Sequence, residues 1–445
     1  MQDLWQDRIE YPELWEHINH LEIYDTHEHL SPNKAYYRSI KKDILIEVMC
    51  TYVQSDLVLA GASQDVINNC LDADEDLILR WKMIEKFWPS IANTGYGRMV
   101  RIGCRDIFGE EINANSVQSV NEKFEDLLAT DFYKEILSNK SKIRLCLLDK
   151  YQPFQSGTTQ ISVIDSCEDV ETEHFKCVYR LDHFVFPKDW QDVNYFESQS
   201  GIRIRSLDDW CEACSRALDN AIEKGVAGFK TALAYNRSLD YQFVTKSKAE
   251  KAFNKFLTSK RDMNWEKQSV HLNTDFQNYM MHFILRILDT RQIPIQFHTG
   301  IQAGNGNYLE NADPLLLTHL FMNYPKINFV LLHTGFPFHQ QAAALAKMFP
   351  NVYLDMSWIH VVSPETAVRS LGEWIHLLPS NKITAFGGDL PSVVCVYGHQ
   401  KMARWNIYRA LAEKVSERSL DVEDAKKFAD RWLVNNTKNL YQIES

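Results

Sequence analysis

The clearest sign of the fold is the stretch Ile327–Gly335, with the sequence INFVLLHTG. It is a short apolar run that ends in a histidine and then in a glycine, where the chain can turn sharply. The same arrangement occurs at Ile293–Gly300, with the sequence IPIQFHTG. Runs this short that are apolar on both faces are typical of buried parallel strands. Each stretch therefore predicts a buried strand that delivers a histidine at its carboxyl end.

Further runs of the same kind predict a sheet of eight strands. With Ile293–Phe297 and Ile327–Leu332, the others are Leu21–Tyr24, Ile143–Leu148, Phe175–Arg180, Val226–Lys230, Val352–Leu354 and Ile383–Phe386. Helical patterns separate the later runs, at Leu207–Lys224, Phe276–Thr290, Leu315–Tyr324, Gln340–Phe349 and Pro364–Leu378. Eight strands that alternate with helices predict an α/β fold, the (β/α)₈ TIM barrel. A doubly wound open sheet is the alternative.

The first two predicted strands are too far apart for a single crossover connection. Helical patterns occupy the interval, for example at Glu75–Phe87 and Ser116–Leu127. We therefore predict a helical insertion over residues 35–140 after the first strand. The barrel would then comprise residues 1–34 and 141–445, with C-terminal helices packed on its outside.

Composition narrows the classes of function. The chain has 445 residues, with 48 Lys and Arg against 59 Asp and Glu, giving a formal charge of −11. A net acidic chain without a long basic run is a poor candidate for binding nucleic acid. Its apolar runs are far shorter than the ~20 residues that cross a membrane, and no signal peptide opens it. Nine scattered cysteines favour reduced thiols in the cytoplasm.

The first predicted strand leads into an H-x-H pair, His27 and His29. In an extended chain, residues two apart point the same way, so both imidazoles can face one point. Imidazole is the commonest ligand for zinc and similar divalent ions. Such a pair is frequent in structural roles too, and alone it indicates a metal site only weakly.

Three further strand ends strengthen the prediction. His298 follows the fifth predicted strand, His333 the sixth, and Asp389 the eighth. Barrel enzymes collect their catalytic residues at the carboxyl ends of their strands, so these side chains are expected to converge. Imidazole and carboxylate ligands suit Zn, Mn, Fe or Co. The sequence therefore predicts a divalent metal ion, zinc first among these, and leaves open whether one or two ions bind per chain.

With these motifs the chain resembles the amidohydrolase superfamily of metal-dependent (β/α)₈ enzymes, and particularly its amidohydrolase-related branch. The resemblance implies that His27, His29, His298 and Asp389 bind the metal, and that Asp389 also accepts the proton of a metal-activated water. It implies one of three roles for His333: ligand of a second ion, polariser of a substrate oxygen, or proton carrier. It also implies a possible homo-oligomer.

Two basic residues at strand ends have more than one interpretation. In two-metal members of the superfamily a lysine at the position of Lys230 is carboxylated and bridges both ions; otherwise Lys230 contacts a substrate anion or is an ordinary surface residue. The forked guanidinium of Arg180 could bind a substrate carboxylate bidentately. Alternatively, Arg180 forms a salt bridge with Asp182 or another acid. Tyr235, Arg237 and His360 are further candidates for lining a pocket.

The leading functional hypothesis is hydrolysis of a C–N or C–O bond in a small, carboxylate-bearing substrate. Residues Phe175–Asp182 and the long insertion also resemble uronate isomerases, so aldose–ketose isomerisation is an alternative. The Thr-Gly that follows both His298 and His333 fits the amidohydrolase-related branch better. Metal-dependent, non-oxidative decarboxylation is a third reaction for the same residues. A catalytically inactive barrel that serves as a scaffold is the non-enzymatic alternative.

Overall fold

The computed structural model describes residues 5–149, 170–187, 190–258 and 274–444. Its centre is a sheet of eight parallel strands, hydrogen-bonded in the order β1 to β8. The strands are β1 Ile23–Glu28, β2 Ile143–Asp149, β3 Phe175–Arg180, β4 Gly228–Thr231, β5 Ile295–Phe297, β6 Phe329–Leu331, β7 Val352–Asp355 and β8 Ile383–Thr384. The predicted (β/α)₈ TIM barrel is thereby confirmed.

Helices surround this barrel. They are α1 Pro12–His20, α2 Lys34–Ile40, α3 Ile44–Met49, α4 Val53–Leu59, α5 Gln64–Cys70, α6 Leu77–Glu85, α7 Trp88–Ile91, α8 Gly95–Phe108, α9 Val117–Ala129, α10 Asp182–Val185, α11 Trp190–Ser200, α12 Leu207–Glu223, α13 Lys246–Thr258, α14 Thr274–Arg291, α15 Thr318–Asn323, α16 His339–Met348, α17 Ile359–Val362, α18 Pro364–Leu377, α19 Val393–Ser416, α20 Val422–Asp430 and α21 Asn436–Leu440. Two π-helical segments, Lys134–Lys140 and Arg431–Asn435, precede β2 and α21.

The first and last strands of the barrel end at residues other than those predicted from the sequence. Strand β1 continues to Glu28, because its residues stay paired with β2 as far as Leu148, so His27 lies within the strand. Strand β8 ends at Thr384, where the next amide, that of Ala385, donates to the carbonyl of Trp432 instead of to a strand. His27 therefore lies in β1, at a register shift in its pairing with β2, and His29 directly follows the strand, whereas Asp389 is reached through a loop.

Residues between β1 and β2 form helices α2 to α9, several of which begin at polar capping residues. The side chains of Asn33, Asp43, Asp76 and Thr94 accept hydrogen bonds from backbone amides in the first turns of α2, α3, α6 and α8. Whether residues 35–140 form a domain of their own stays a prediction.

The C-terminus closes the interior of the barrel beneath the strand ends. Leu440 and Tyr441 pack with Leu147, Val178 and Leu332 in a small apolar cluster that is separate from the main core. Because burial of such side chains is favourable, this cluster fixes the last helix against the barrel. The side chain of Tyr441 thereby reaches the layer immediately below the predicted site.

Among the described residues, no helix is both long and apolar enough to cross a membrane.

Candidate functional site

A cavity of about 310 Å³ opens at the carboxyl ends of the strands. Its lining residues come from the strands, the loops that follow them and the helical insertion: His27, His29, Tyr52, Arg180, Asp182, His183, Phe186, Lys230, Ala232, Leu233, Tyr235, Asn236, His298, Ala303, Gly304 and Asp389. The structure thus brings nearly all of the predicted site residues to one place. The exception is His333, which lies directly behind His298.

Three of the predicted metal ligands converge. One ligand atom from each of His27, His29 and Asp389 lies within 4.8 Å of the others, and this is the only such group found among the described residues. The Oδ1 atom of Asp389 is 3.0 Å from Nε2 of His29 and 3.5 Å from Nε2 of His27. All three side chains are buried. Two imidazoles and a carboxylate in this arrangement can hold a divalent ion.

Gln296, a buried residue of β5, determines which ring nitrogen of His27 carries the hydrogen. The Nε2 group of Gln296 donates to the Thr26 carbonyl at 2.7 Å and to the Tyr441 hydroxyl at 2.9 Å. Its Oε1 atom must therefore accept from Nδ1 of His27, 3.0 Å away. A neutral histidine that donates from Nδ1 has a bare lone pair on Nε2, and that atom faces Asp389.

His29 is oriented in the same way by the backbone. Its Nδ1 donates to the carbonyl of Asp149, the last residue of β2, at 3.1 Å. A carbonyl oxygen can only accept, so the Nε2 lone pair of a neutral His29 also points to Asp389. Both histidines of the H-x-H pair thus direct Nε2 toward Asp389.

Burial favours the neutral form of His27 and His298. It holds the pKa of His27 well below its ordinary value, and the neighbouring charge of Lys230 acts in the same direction. The pKa of His298 is likewise lowered by burial, with contributions from His333 and Lys230. Burial acts to raise the pKa of Asp389, but the close contact with His29 and the charges around it hold that pKa below its ordinary value. Neutral imidazoles and an ionised carboxylate are the forms that bind metal.

His298 and His333 bond to each other behind the three-residue group. The Nε2 of His298 donates to the carbonyl of Ile301 at 2.9 Å, which leaves its Nδ1 bare. The Nε2 of His333 then donates to that Nδ1 at 3.0 Å. The remaining nitrogen of His333, Nδ1, lies 3.1 Å from the carbonyl oxygen of Ser357 and 3.7 Å from Oδ2 of Asp389. The role of His298 as a fourth ligand stays a prediction.

Several residues around the site adopt the left-handed backbone conformation that disfavours side chains. They are His333, Thr334, Trp358 and Asp389, with φ between 54° and 65°. Trp358 packs edge-on against the ring of His333, with centroids 5.3 Å apart. Strained backbone of this kind gathers at functional sites, where the surrounding structure holds it in place.

Lys230 lies at the centre of the site. It is almost completely buried on β4, and its Nζ is 3.3 Å from Nε2 of His27. Burial lowers the pKa of Lys230 to about 8, although the charge of Asp149 acts to raise it. The interpretation of Lys230 as an ordinary surface residue is therefore excluded by its position, and its two functional roles stay open.

Arg180 is bound by acids of the protein itself. Its guanidinium donates to both carboxylate oxygens of Asp149 and, at 3.3 Å, to Oδ2 of Asp182. Asp182 in turn accepts from the backbone amide of Ala232 at 3.0 Å, so it is fixed in place. The predicted salt bridge is present, and Arg180 still lines the cavity. Through Asp149 it is also connected to His29.

Sequence reasoning missed two residues that contact the site, Gln296 and Tyr52. Gln296 could have been suspected, since it is a lone polar residue inside the apolar run of β5. Tyr52 lies in the insertion, where one sequence offers no such signal, yet its hydroxyl donates to the backbone carbonyl of Asp389 at 2.6 Å.

Of the three further candidates for lining a pocket, Tyr235 lines the cavity. Arg237 and His360 bond elsewhere, to Gln277 and Asn278 and to the Ala385 carbonyl.

Comparisons with known proteins agree with this architecture. A sequence model of the amidohydrolase family matches residues 260–443. Protein fluG of Emericella nidulans is 24% identical over 266 residues, which make up 58% of this chain and 30% of that protein. This chain therefore matches less than a third of the length of that relative.

Solved structures resemble the chain along its whole length. A proposed metal-dependent hydrolase from Lactobacillus casei superposes with a TM-score of 0.64 at 19% identity, covering 96% of this chain and 97% of that one. The uronate isomerase of Thermotoga maritima gives 0.74 at 16% identity, covering 96% of both chains. The glucuronate isomerase of Caulobacter crescentus gives 0.73 at 18% identity, covering 97% and 94%. At these identities the likeness is one of fold.

Proposed function

We propose that this chain, whose sequence and fold match the amidohydrolase superfamily, is a metal-dependent hydrolase that cleaves a C–N or C–O bond in a small, carboxylate-bearing substrate. The observation that carries this proposal is the convergence of His27, His29 and Asp389. Two bare Nε2 atoms and an ionised carboxylate face one point, and the far nitrogen of each histidine is already bonded.

The donor set of this site fits a divalent ion. Zinc is the ion we expect first, with Mn, Fe or Co as alternatives, because imidazole and carboxylate ligands suit all four. A bound ion would activate a water molecule near neutral pH and polarise the substrate oxygen. With three ligands assigned, His298 is the residue best placed to add a fourth, by breaking its hydrogen bond to His333.

The chain's own residues provide a route for the proton. Asp389 directs Oδ1 toward His29, so its Oδ2 is the atom that can accept a proton from the attacking water. The Nδ1 atom of His333 lies 3.7 Å from Oδ2 of Asp389 and 3.1 Å from the carbonyl oxygen of Ser357. A proton on that atom would be held between a carboxylate and a carbonyl. Since burial lowers the pKa of His333, the proton would be released readily to the leaving group.

Both charged and apolar residues line the cavity. Lys230 supplies positive charge near the ligands, and Arg180 lies beside it with its charge balanced by Asp149. The apolar and aromatic lining residues are Tyr52, Phe186, Leu233, Tyr235 and Ala303. Apolar surface stabilises a bound ligand by removing its apolar groups from water. We therefore expect a substrate in which an apolar group accompanies the carboxylate.

The test is a hydrolysis assay on zinc-reconstituted protein. The substrates are N-acyl amino acids and carboxylated lactones, with Asp389→Asn as the matched inactive variant. We expect turnover that falls by about 100-fold or more in the variant, the size of effect that general bases produce. Wild-type protein that holds stoichiometric zinc and hydrolyses none of these compounds would contradict the proposal.

Isomerisation of uronates is the second candidate. It is supported by the full-length fold similarity to two uronate isomerases and by the position of Arg180 at the end of β3. A sugar acid needs polar partners for its hydroxyl groups. The apolar lining residues supply none, so Asp182, His183 and Asn236 would have to supply them. Incubation with D-glucuronate, followed by NMR for ketose formation, decides between the two reactions.

A further inference from the structure

The seam of the barrel is the place where β1 meets the segment that follows β8. We use this name for residues 25–28 on one side and residues 386–390 on the other. The strand order runs from β1 to β8 without a regular ladder between these two strands in the described part of the chain. Two main-chain hydrogen bonds cross the seam, from Thr26 to the Phe386 carbonyl at 3.1 Å and from Asp389 to the His27 carbonyl at 2.8 Å.

Two buried carboxyl groups add further polar contacts across the seam, beside the hydrogen bond from the Thr26 hydroxyl to the Phe386 carbonyl. Asp25 accepts from the backbone amide of His27 at 3.0 Å and from that of Gly388 at 3.1 Å. Glu28 accepts from the amide of His29 at 2.8 Å and from that of Leu390 at 2.6 Å. Both side chains have no solvent exposure. Each carboxyl therefore joins the amide of a ligand histidine to an amide that flanks Asp389.

The backbone opposite the two carboxyl groups, at Gly388, makes room for both of them. A Cβ atom added to Gly388 would lie 1.9 Å from Oε2 of Glu28 and 3.1 Å from Oδ2 of Asp25. A side chain at position 388 is therefore incompatible with the pair. The glycine, the two acids and the ligand residues form one interlocked arrangement.

We propose that Asp25 and Glu28 are positioning residues of the metal site, a paired clamp that sets the distance between His27 and His29 on β1 and Asp389 beyond β8. The reason is geometric. The two histidines are placed by a strand, whereas Asp389 is placed by a loop that lacks a ladder to that strand. The hydrogen bonds of the two carboxyl groups take the place of those that a ladder between β1 and β8 would make. Partners of this kind, one bond removed from the ligands, commonly decide metal affinity.

The experiment compares Glu28→Ala with the isosteric Glu28→Gln. Glutamine keeps an oxygen for the amides of His29 and Leu390 and gains an N–H for Asp25, so it can preserve the clamp. Alanine removes it. The control is Asp43→Ala, which removes another buried acid, the partner of Arg80, with no contact to the site. The probes are Zn²⁺ and Co²⁺ alone.

Three quantities are measured for each variant: the Kd for Zn²⁺ by chelator competition, the visible spectrum of bound Co²⁺, and the Tm of the metal-free protein. We expect Glu28→Ala to weaken Zn²⁺ binding by about 10-fold or more and to alter the Co²⁺ spectrum. Glu28→Gln should stay within about threefold of wild type, because its hydrogen bonds persist. Asp43→Ala should lower the Tm and leave Kd and spectrum unchanged.

Two results would overturn the clamp. One is a folded Glu28→Ala protein with wild-type Kd and spectrum; the other is a Glu28→Gln protein as impaired as the alanine variant. The inference rests on the proposed metal function, and the wild type separates the two. Wild-type protein that binds no ion overturns the proposed function. Normal ion binding by the wild type, with the same Kd and spectrum in Glu28→Ala, overturns the clamp alone.

Discussion

At the scale of single residues, this site depends on atoms that point away from it. His27 offers Nε2 to a metal only because Gln296 accepts the hydrogen of its Nδ1. Gln296 can do so only because Thr26 and Tyr441 fix the orientation of its amide. The chemistry of a ligand is therefore decided two contacts away from the ion.

Substitution Gln296→Leu tests this dependence. Leucine has a similar volume but no acceptor, so Nδ1 of His27 loses its partner and the imidazole can turn or change tautomer. We expect the affinity for Zn²⁺ to fall by about 10-fold or more, as is typical when the partner of a ligand histidine is removed. Chelator competition measures it, with Gln277→Leu, at a buried glutamine of α14 that accepts from Arg237, as the control. Equal affinity in Gln296→Leu and wild type would show that the tautomer is set by something else.

The pKa of Lys230, lowered to about 8 by burial, predicts a pH dependence of substrate binding. As the pH rises through about 8 the ammonium loses its proton, so a carboxylate substrate should bind less well and its KM should rise. Lys230→Arg keeps its charge at every accessible pH and should show a flatter profile. Identical KM profiles for the two proteins would remove Lys230 from anion binding.

The same shift has a consequence for stability. The ordinary pKa of lysine, 10.5, is higher than that of folded Lys230. Between about 8 and that value the unfolded chain therefore carries a proton that the folded chain has released. In this window the contribution of Lys230 to stability rises with pH.

At the scale of elements, the insertion is attached to the barrel through glycines. A Cβ on Gly398 of α19 would lie 2.0 Å from the Met99 carbonyl of α8, and one on Gly103 of α8 would lie 2.4 Å from the Val394 carbonyl of α19. The two helices thus meet backbone to backbone. This close contact holds α8, and with it the insertion that carries Tyr52, against the helix that follows Asp389.

Gly398→Ala should force these helices apart. Overpacking of a tight core typically costs about 1–3 kcal/mol, and we expect a loss of that size in the free energy of unfolding. Gly372→Ala in α18 is the matched control, since its added methyl would meet only the end of Lys414 at 3.4 Å. That substitution should be neutral or stabilising by up to about 1 kcal/mol, because alanine favours helix. Urea unfolding of both variants gives the comparison.

At the scale of the whole molecule, metal binding and folding are expected to be linked. The ligands come from β1 and from the segment after β8, which are 360 residues apart in the chain and meet only in the folded barrel. Any ion that binds the native state alone therefore stabilises it.

Elemental analysis of reconstituted protein should find about one equivalent of metal. The described residues contain one group of three converging ligands, and His298 and His333 are bonded to each other. Chelation should lower the Tm, since an ion at 100 times its Kd contributes about 2.7 kcal/mol. Two equivalents would instead identify Lys230 as a carboxylated bridge, and an unchanged Tm on chelation would separate binding from folding.

The sequence by itself predicted the barrel, with an open sheet as the alternative, and most residues of the site. Eight short apolar runs predicted buried strands, and the polar residues at their ends were expected to meet because parallel strands end at one face. The local pattern therefore located His27, His29, His298, His333 and Asp389. Each of them lies within, or a few residues after, a strand that can be recognised from its neighbours in the chain.

Only the tertiary structure decided how these residues are used. The acids that hold Arg180, the tautomer of His27, the hydroxyl that Tyr52 donates to Asp389 and the clamp across the seam all join residues distant in sequence. Hydrogen bonds between such residues depend on distances of a few tenths of an ångström, and no periodicity in the chain encodes them. A strand pattern fixes where a side chain begins, and packing fixes which of its atoms is left free to react.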